Sequence, residues 1–440
     1  MLTFMLFTHF SDTLLRLCPQ PSQLVLALSG GLDSRVLLHL LSRFIQKHPH
    51  YQALAVHVHH GLSPNADRWL AQCAAWAKSD AVTFHCERVS VPSGSRISLE
   101  QAAREARYGA LAGYVQSQQY LLTAQHADDQ LETVLLALKR GSGPAGLAAM
   151  PEVKPFANGL HLRPLLDVSR AELHAYANEH QLDWVDDESN QDRRFDRNFL
   201  RLDIVPALTS RWPGLRQAVA RSAALCGEQQ SLLESLLADK LHQMSAPDGS
   251  IDLSAVTDEK QGRALVRLWL QRQDLPVPSK AQLEQIWQAV CLARKDANPC
   301  VSLHGYEVRR FQSRLYAVRP RPDVTEWRRE ITPDTPCPLP ASLGVITLSR
   351  LSGGHLRSPA PDERVRVAFD PSGLQAQPLG RAGRRKLKKL FQEYGVPSWR
   401  RRQTPLLFYG DKLAAVAGLF VVEGFEGNEC ELVWKCDHLH

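Results

Sequence analysis

Residues 24–46 constrain the fold most, because a short apolar run there is followed by a glycine turn and an amphipathic segment. The apolar run, residues 24–28, is typical of a strand buried on both faces. Apolar residues then recur at helical spacing from Val36 to Ile45. The stretch therefore predicts a strand, a turn over residues 29–34 and a helix, which together form one unit of an α/β fold.

The turn combines two glycines with polar side chains and consists of Ser29, Gly30, Gly31, Leu32, Asp33 and Ser34. The glycines let backbone N–H groups approach an anion, and the following helix adds a partial positive charge. No lysine follows the glycines, so the turn is not a Walker loop. It predicts a phosphate cradle; the alternative is an ordinary strand-to-helix turn.

Three further strands are predicted, each followed by a helical pattern, at residues 53–58, 82–89 and 120–124. Strands alternating with helices predict a parallel, doubly wound sheet. Such sheets bind ligands outside the carboxyl ends of their strands. The polar segments 29–34, 57–63 and 125–129 each follow a strand, so we expect them to face one crevice.

Four acidic residues are candidates for chemistry in that crevice. Asp33 lies in the turn, where it can hold a magnesium ion on a nucleotide triphosphate. Asp128, Asp129 and Glu132 fall within one helical turn and can share that work or bind a cationic substrate. The alternative for Asp128 and Asp129 is that they complement a helix N-terminus.

Three histidines, His57, His59 and His60, stand at the end of the second predicted strand. On an extended segment they cannot all point one way, which disfavours a zinc site. We expect one of them, assigned here to His57, to contact a nucleotide or RNA and the others to be structural.

A capping box at Ser98 and Gln101 predicts a helix that carries Arg104 and Arg107 on one face. These arginines either bind a carboxylate or phosphate, or pair with nearby glutamates at positions 100 and 105.

The length of 440 residues suggests about three domains. We place them at 1–215 for the α/β domain, 216–325 for a mostly helical domain with a terminal hairpin, and 326–440 for an α+β domain. Six prolines between Pro320 and Pro340 mark the second boundary.

Composition favours a reducing, cytoplasmic location, because the nine cysteines include no CxxC pair. The N-terminus lacks a signal-peptide pattern, and the apolar run 413–422 is too short to span a membrane. Residues 381–402, the basic segment, hold nine Lys or Arg against Glu393 alone, a net charge of +8. This segment predicts a polyanionic partner; the alternative is a solvated cationic helix.

The chain resembles the tRNA(Ile)-lysidine synthetase family, in its long form with two C-terminal domains, within the PP-loop ATP pyrophosphatases. The segments that carry the resemblance are SGGLDS, HVHHGLS, EQAAREARYGAL, TAQHADDQLETVLLALKRGSGPAGL, RPLL, WVDDESNQDRRFDRNFLRLDIVPAL, GRRKLKKLFQEYGVPSWRR and PLLFYGDKLAAVAG. The chain departs from the family at His59, where many members have Asn, and at Gln125, where many have His.

The resemblance implies an adenine nucleotide α-hydrolase-like fold and a ligase that uses ATP with Mg²⁺. ATP adenylates carbonyl oxygen 2 of the wobble cytidine of a tRNA(Ile) with a CAU anticodon, and free L-lysine then displaces AMP to give lysidine. The family also suggests a homodimer.

Residue roles follow in three groups. The expected ATP-binding residues are Ser29, Gly30, Gly31, Leu32, Asp33, Ser34 and His57. The candidate catalytic residues are Asp33, with its Mg²⁺, and Asp128, Asp129, Arg104 and Arg107. The expected tRNA-binding residues are Arg384, Arg385, Lys386, Lys388, Lys389 and Arg400.

Three other functions are weighed against this one. A PP-loop tRNA thiolase that uses cysteine needs a reactive or cluster-binding pair, and CxxC is absent. A small-molecule amidating ligase leaves the basic segment without a partner. A catalytically inactive tRNA-binding protein does not require the intact SGGLDS and HADD motifs.

Overall fold

The computed structural model describes residues 2–91, 99–294 and 297–436, with the backbone alone for residues 2–4 and 99–100. The capping box predicted at Ser98 lies outside the described residues. The chain forms two compact units, Met1–Leu233 and Glu234–His440.

The first unit is built on a six-stranded sheet, whose strands are β1 Gln23–Ala27, β2 Gln52–His59, β3 Thr83–Arg88, β4 Tyr120–Leu122, β5 Val153–Phe156 and β6 Gly159–Leu162. Their spatial order is β3-β2-β1-β4-β6-β5, and all neighbours pair in parallel except β5 with β6. The predicted parallel α/β sheet is therefore confirmed.

The helices of this part of the chain are α1 Leu2–Leu17, α2 Leu32–Lys47, α3 Ala66–Ser79, α4 Leu99–Ala112, α5 Ala127–Lys139, α6 Pro144–Leu147, α7 Arg170–Glu179, α8 Asp196–Phe199, α9 Val205–Arg211 and α10 Leu215–Met244. A 3₁₀ turn covers Glu188–Gln191 and a π-helical turn covers Leu200–Ile204. The boundary between the two units falls within α10.

Helices cover both faces of the sheet, and the central strand β1 is accordingly apolar and buried on both sides. Apolar residues of α1, α2, α3 and α7 form one hydrophobic core with the sheet. Residues of α4 form a second core on Val25, Val56 and Leu121. The strand order reverses between β1 and β4, and in doubly wound sheets such a switch point is where ligands bind.

The second unit has short strands, namely β7 Ile251–Asp252, β8 Cys300–Ser302, β9 Glu307–Phe311, β10 Arg314–Val318, β11 Arg328–Glu330, β12 Cys337–Pro338, β13 Val345–Arg350, β14 Val365–Ala368, β15 Gln375–Ala376, β16 Arg385–Lys386, β17 Leu406–Tyr409, β18 Lys412–Val416, β19 Phe420–Val421 and β20 Cys430–Lys435. Its further helices are α11 Glu259–Arg272, α12 Lys280–Ile286 and α13 Leu387–Glu393, with a π-helical turn at Trp287–Cys291.

Two separate hydrophobic cores lie in this unit. The first joins the end of α10, α11 and α12 to the sheet β7-β10-β9-β8. The second joins α13 to the sheets β11-β14-β17-β18-β19 and β12-β13-β20. The domain limits expected at residues 215 and 325 stay predictions.

None of the helices in the described ranges is long and apolar enough to cross a membrane.

Candidate active site

A cavity of about 710 Å³ lies at the carboxyl edge of β1, β2 and β4. It is lined from all three predicted polar segments by Ser29, Gly31, Asp33, Ser34, His57, His59, His60, Gln125 and Asp129. Arg104, Arg107, Arg140, Arg197 and Arg201 also line it. The structure thus brings the three segments together at the switch point, as the sequence predicts.

The glycine turn is held in shape by its own serines. Gly30 adopts a φ of +92°, which a glycine accepts without strain. The Gly30 N–H donates to Ser34 Oγ at 3.1 Å, and Ser34 Oγ donates to the Gly31 carbonyl at 3.0 Å. In the described structure no side chain caps α2 at Gly31, so the first-turn N–H groups of α2 suit an anion.

Asp33 lies in the first turn of α2, and its side chain is 28% exposed. Burial raises the pKa of Asp33, but His126, Arg170 and Arg201 lower it further, so the carboxyl is ionised at neutral pH. Its Oδ1 is buried and has no hydrogen-bond partner among the described residues. Mg²⁺ is usually held by one or two carboxylates together with phosphates and waters, so this free oxygen fits such an ion.

His126 begins α5 as its N-cap and is fully buried. Its Nδ1 accepts from the Asp129 N–H at 3.4 Å, while Asp129 Oδ2 accepts from the His126 N–H at 3.1 Å. The His126 Nε2 lies 3.5 Å from Asp33 Oδ2 and 3.4 Å from Asp129 Oδ2. Burial lowers the pKa of His126, but these carboxylates raise it above its usual value. His126 therefore connects the two acids electrostatically.

A set of ion pairs around the buried Glu132, the cavity network, consists of Asp129, Glu132, Arg197 and Arg201. Arg201 Nη2 lies 2.8 Å from Asp129 Oδ1, and Arg201 Nε lies 2.7 Å from Glu132 Oε1. Arg197 Nε lies 2.8 Å from Glu132 Oε2, and the Glu132 side chain is fully buried. Asp129 is thus held in a fixed position at the cavity wall.

Sequence reasoning assigned no role to Arg197 or Arg201. The available signal was their i, i+4 spacing, which places two cations on one helical face. Arg201 lies in the π-helical turn, a geometry that is frequent at functional sites.

Asp128 and Glu132 are the two acidic candidates that do not line this cavity. Glu132 is buried behind it and pairs with the two arginines of the cavity network, whereas Asp128 has other partners. Its Oδ1 pairs with Arg216 Nε at 2.7 Å, and its Oδ2 accepts from the Arg170 N–H at 2.9 Å. It lines a second cavity of about 480 Å³ instead. The reason is geometric, because consecutive helix residues point about 100° apart.

His57 and His59 lie at the end of β2 and His60 follows it, and all three line the cavity. His57 Nδ1 donates to the Leu28 carbonyl at 2.9 Å, and burial lowers the pKa of His57, which keeps the ring neutral. His59 is buried, with its Nε2 3.2 Å from Asp67 Oδ1. His57 therefore presents Nε2 as a hydrogen-bond acceptor.

Arg104 and Arg107 both lie over the Tyr108 ring, with guanidinium carbons 4.9 and 5.7 Å from its centroid. Glu105 accepts from Gln101 at 2.9 Å, and Arg104 forms no ion pair with a described residue. Pairing of Arg104 with Glu105 is therefore not seen, and the side chain of Glu100, the other expected partner, lies outside the described residues. Arg104 lines the cavity, where its guanidinium can bind an anion.

In the second unit, the cations of the basic segment are exposed at Arg384, Arg385, Lys386, Lys388 and Lys389. Leu387, Leu390 and Phe391 are fully buried beneath them, as predicted. Arg385 Nη1 pairs with Glu393 Oε1 at 3.0 Å, and Arg381 also pairs with Glu393. Glu393 therefore neutralises part of the charge of the segment.

Arg400 differs from the other basic residues of the segment. It is partly buried and lines a cavity of about 460 Å³ with Asp248, Tyr316 and Trp399. Burial lowers the pKa of Arg400, whereas Asp248 opposes the shift. The structure therefore does not place Arg400 on an open surface.

Comparison with known families gives three matches along the chain. The PP-loop domain matches residues 6–208. The TilS substrate binding domain matches residues 252–316. The TilS substrate C-terminal domain matches residues 365–438.

Curated relatives match over nearly the whole length. A protein of Photobacterium profundum, named tRNA(Ile)-lysidine synthase, is 55% identical over 434 residues, which cover 98% of this chain and 100% of the relative. One of Vibrio cholerae serotype O1 with the same name is 50% identical over 435 residues, 98% of each chain. The solved structure of the U34-tRNA thiolase NcsA from Methanococcus maripaludis is similar with a TM-score of 0.42 and 16% identity, covering 49% of this chain and 76% of that chain. This chain belongs to the tRNA(Ile)-lysidine synthase family.

Proposed function

We propose that the protein joins free L-lysine to carbon 2 of the wobble cytidine in the CAU anticodon of tRNA(Ile), at the expense of ATP. The single observation that carries this proposal is the composition of one cavity. A phosphate cradle, an ionised carboxylate with a free oxygen and a set of arginines all line it. Such groups suit a reaction in which a phosphoryl group is transferred and a negatively charged pyrophosphate leaves, because they stabilise the charge that develops on the phosphate oxygens.

The reaction would proceed in two displacements. Oxygen 2 of the cytosine attacks the α-phosphorus of ATP, an O–P bond forms, and pyrophosphate leaves. The ε-amine of lysine then attacks carbon 2, the carbon–oxygen bond breaks, and AMP leaves with that oxygen. Adenylation turns a poor leaving group into a phosphate monoester, which divides one difficult step into two easier ones.

For ATP, the chain supplies binding and orientation. The N–H groups of residues 30–34 and the hydroxyls of Ser29 and Ser34 would hold the phosphates. The neutral His57 would accept from an amino or hydroxyl group of the nucleotide through Nε2. Arg104 and Arg107 would contact a phosphate or the lysine carboxylate.

Asp33 would hold Mg²⁺ on the ATP phosphates through the carboxylate oxygen that lacks a protein partner. When bound, the ion supplies charge neutralisation on the phosphates.

Asp129 would act on lysine, whose ammonium has a free pKa of about 10.4 and must lose a proton before it attacks. The Asp129 carboxylate is held at the cavity wall because it accepts from the His126 N–H and pairs with Arg201. We assign it to binding the ammonium and to accepting or relaying the proton.

The exposed cations of the basic segment would hold the tRNA body by phosphate contacts, which position a nucleic acid without reading its sequence. We assign this to Arg384, Arg385, Lys386, Lys388 and Lys389, and Arg400 stays a prediction. A cytoplasmic location and a homodimer complete the proposal, and light scattering of the purified protein tests the dimer.

The test is to incubate the purified protein with ATP, Mg²⁺, labelled lysine and a transcript of tRNA(Ile) with a CAU anticodon. We expect lysine in the RNA and one AMP per lysine incorporated. A transcript with uridine in place of the wobble cytidine is the matched control and should take up no lysine.

Three outcomes would contradict the proposal. Sulfur transfer to the RNA in a parallel incubation that contains a sulfur donor would indicate a thiolase; AMP release without labelled RNA would indicate a small-molecule ligase. Binding of RNA with neither product would indicate an inactive binding protein. Cys73, the thiol beside Gly30, does not favour the first, because burial raises its pKa to about 12.

A further inference from the structure

A chain of hydrogen bonds runs from a buried arginine to the cavity wall. Arg163 follows β6 and is 3% exposed. Its Nη1 donates to the Pro151 carbonyl at 2.5 Å, and its Nη2 lies 3.3 Å from His161 Nδ1. No carboxylate of the described residues forms an ion pair with it. Because a guanidinium can only donate, Arg163 fixes the direction of the bonds that follow.

The bond from Arg163 determines which nitrogen of His161 carries the ring hydrogen. Its Nδ1 must accept from Arg163, so the ring hydrogen lies on Nε2, which is 2.6 Å from Thr123 Oγ1. His161 is fully buried, and burial together with Arg163 lowers its pKa to about 3. The ring therefore stays neutral, with one acceptor and one donor, at any physiological pH.

Thr123 passes the direction to Gln125. The Thr123 hydroxyl accepts from His161, and its own hydrogen is donated to Gln125 Oε1. The amide oxygen of Gln125 is thereby occupied, so the amide nitrogen must turn away from Thr123. A reversed amide would leave the hydrogen of the Thr123 hydroxyl without this acceptor. Gln125 lines the cavity beside Asp33 and Ser29.

We propose that Gln125 is a substrate-contacting residue: its amide nitrogen, oriented by Thr123, His161 and Arg163, donates to an acceptor atom of a nucleotide substrate in the cavity. The acceptor is an oxygen or ring nitrogen, and it belongs either to ATP or to the cytidine. Thr123, His161 and Arg163 are positioning residues. This inference rests on the proposed function, since it assigns a contact to the same cavity.

Gln125→Glu tests the contact itself. A glutamate still accepts from Thr123, but it replaces the amide donors by a second oxygen. We expect kcat/KM for one nucleotide, ATP or tRNA, to fall at least about tenfold. The value for the other nucleotide should stay within about twofold. Wild-type values for both nucleotides would overturn the proposal, because Gln125 would then serve only as an acceptor for Thr123.

Thr123→Val and Thr123→Ser test the orientation. The valine variant removes the hydroxyl and should lower kcat/KM for the same nucleotide that Gln125→Glu affects. The serine variant keeps the hydroxyl and should have a kcat/KM close to that of the wild type. Equal values for the two variants, with equal melting temperatures, would overturn the relay.

The result for wild-type protein distinguishes failure of the proposed function from failure of the proposed Gln125 contact. If wild-type protein incorporates no lysine, the proposed function fails. Titrations of ATP and of tRNA into wild-type protein and Gln125→Glu then still test the inference. Weaker binding of one nucleotide supports it, and equal binding of both overturns it.

Discussion

The cavity network and the basic segment both concentrate charge, but in opposite ways. In the network, Glu132 is fully buried and paired at 2.7 and 2.8 Å with two arginines. In the basic segment the cations within residues 384–389 are exposed, and Glu393 pairs with Arg381 and Arg385. Buried pairs depend on geometry and resist screening by salt, whereas exposed charges act additively and are screened. Single changes should therefore have large effects in the cavity and small ones in the segment.

The largest expected effect is at Asp33. Asp33→Ala should lower AMP formation by at least about a thousandfold, because it removes the proposed ligand of the phosphate-bound ion. Affinity for tRNA, measured by filter binding, should stay nearly intact. Asp12→Ala, an exposed acid on α1, is the control. Normal turnover of the Asp33 variant would refute the assignment.

The next effect concerns stability. Glu132→Gln should lower the free energy of unfolding by about 3 kcal/mol, since Arg197 and Arg201 then lose their shared counter-charge. Urea denaturation at low and at high salt measures it. If the loss matched that of an exposed ion pair, the network would contribute little to folding.

The third effect is expected at Asp129. The Asp129→Asn variant should transfer lysine about 100-fold more slowly, and its adenylation of tRNA should fall less. Asparagine keeps an oxygen to accept from the His126 N–H, so the start of α5 is retained. Single-turnover experiments with and without lysine separate the two steps. Should adenylated tRNA fail to form at all, Asp129 acts in the first step instead.

The smallest effect is expected at the exposed pair Arg381–Glu393. Arg381→Gln should leave the urea midpoint unchanged within error, because surface ion pairs contribute little to stability. A shift comparable to that of Glu132→Gln would remove the contrast between the two regions.

The features that could be predicted from the sequence are those that a local pattern of residues determines. Apolar runs and helical spacing placed β1, α2 and the glycine turn, and the alternation of elements predicted which loops meet at the carboxyl edge. The inward face of α13 followed from Leu387, Leu390 and Phe391 alone.

The remaining features depend on contacts between distant residues. Asp128 and Asp129 are adjacent in sequence, yet they line different cavities, because consecutive helix residues point about 100° apart. Each pairs with an arginine more than 70 residues away, Asp128 with Arg216 and Asp129 with Arg201. Arg163 lies about 40 residues from Gln125 along the chain, and only the pairing of β4 with β6 brings their strands together. No local pattern contains either relation.

In this account the cavity binds ATP and lysine, while the basic segment holds the tRNA body. Replacing Arg384, Arg385, Lys388 and Lys389 together with Ala is the sharpest test of that assignment. The plot of log KM for tRNA against log salt should flatten by about three units, since four phosphate contacts are lost. The KM values for ATP and lysine should not change. A variant that removes four scattered exposed cations, Lys78, Lys260, Arg272 and Lys280, is the charge-matched control and should flatten the plot much less. An unchanged slope in the folded quadruple variant of the basic segment would contradict the account.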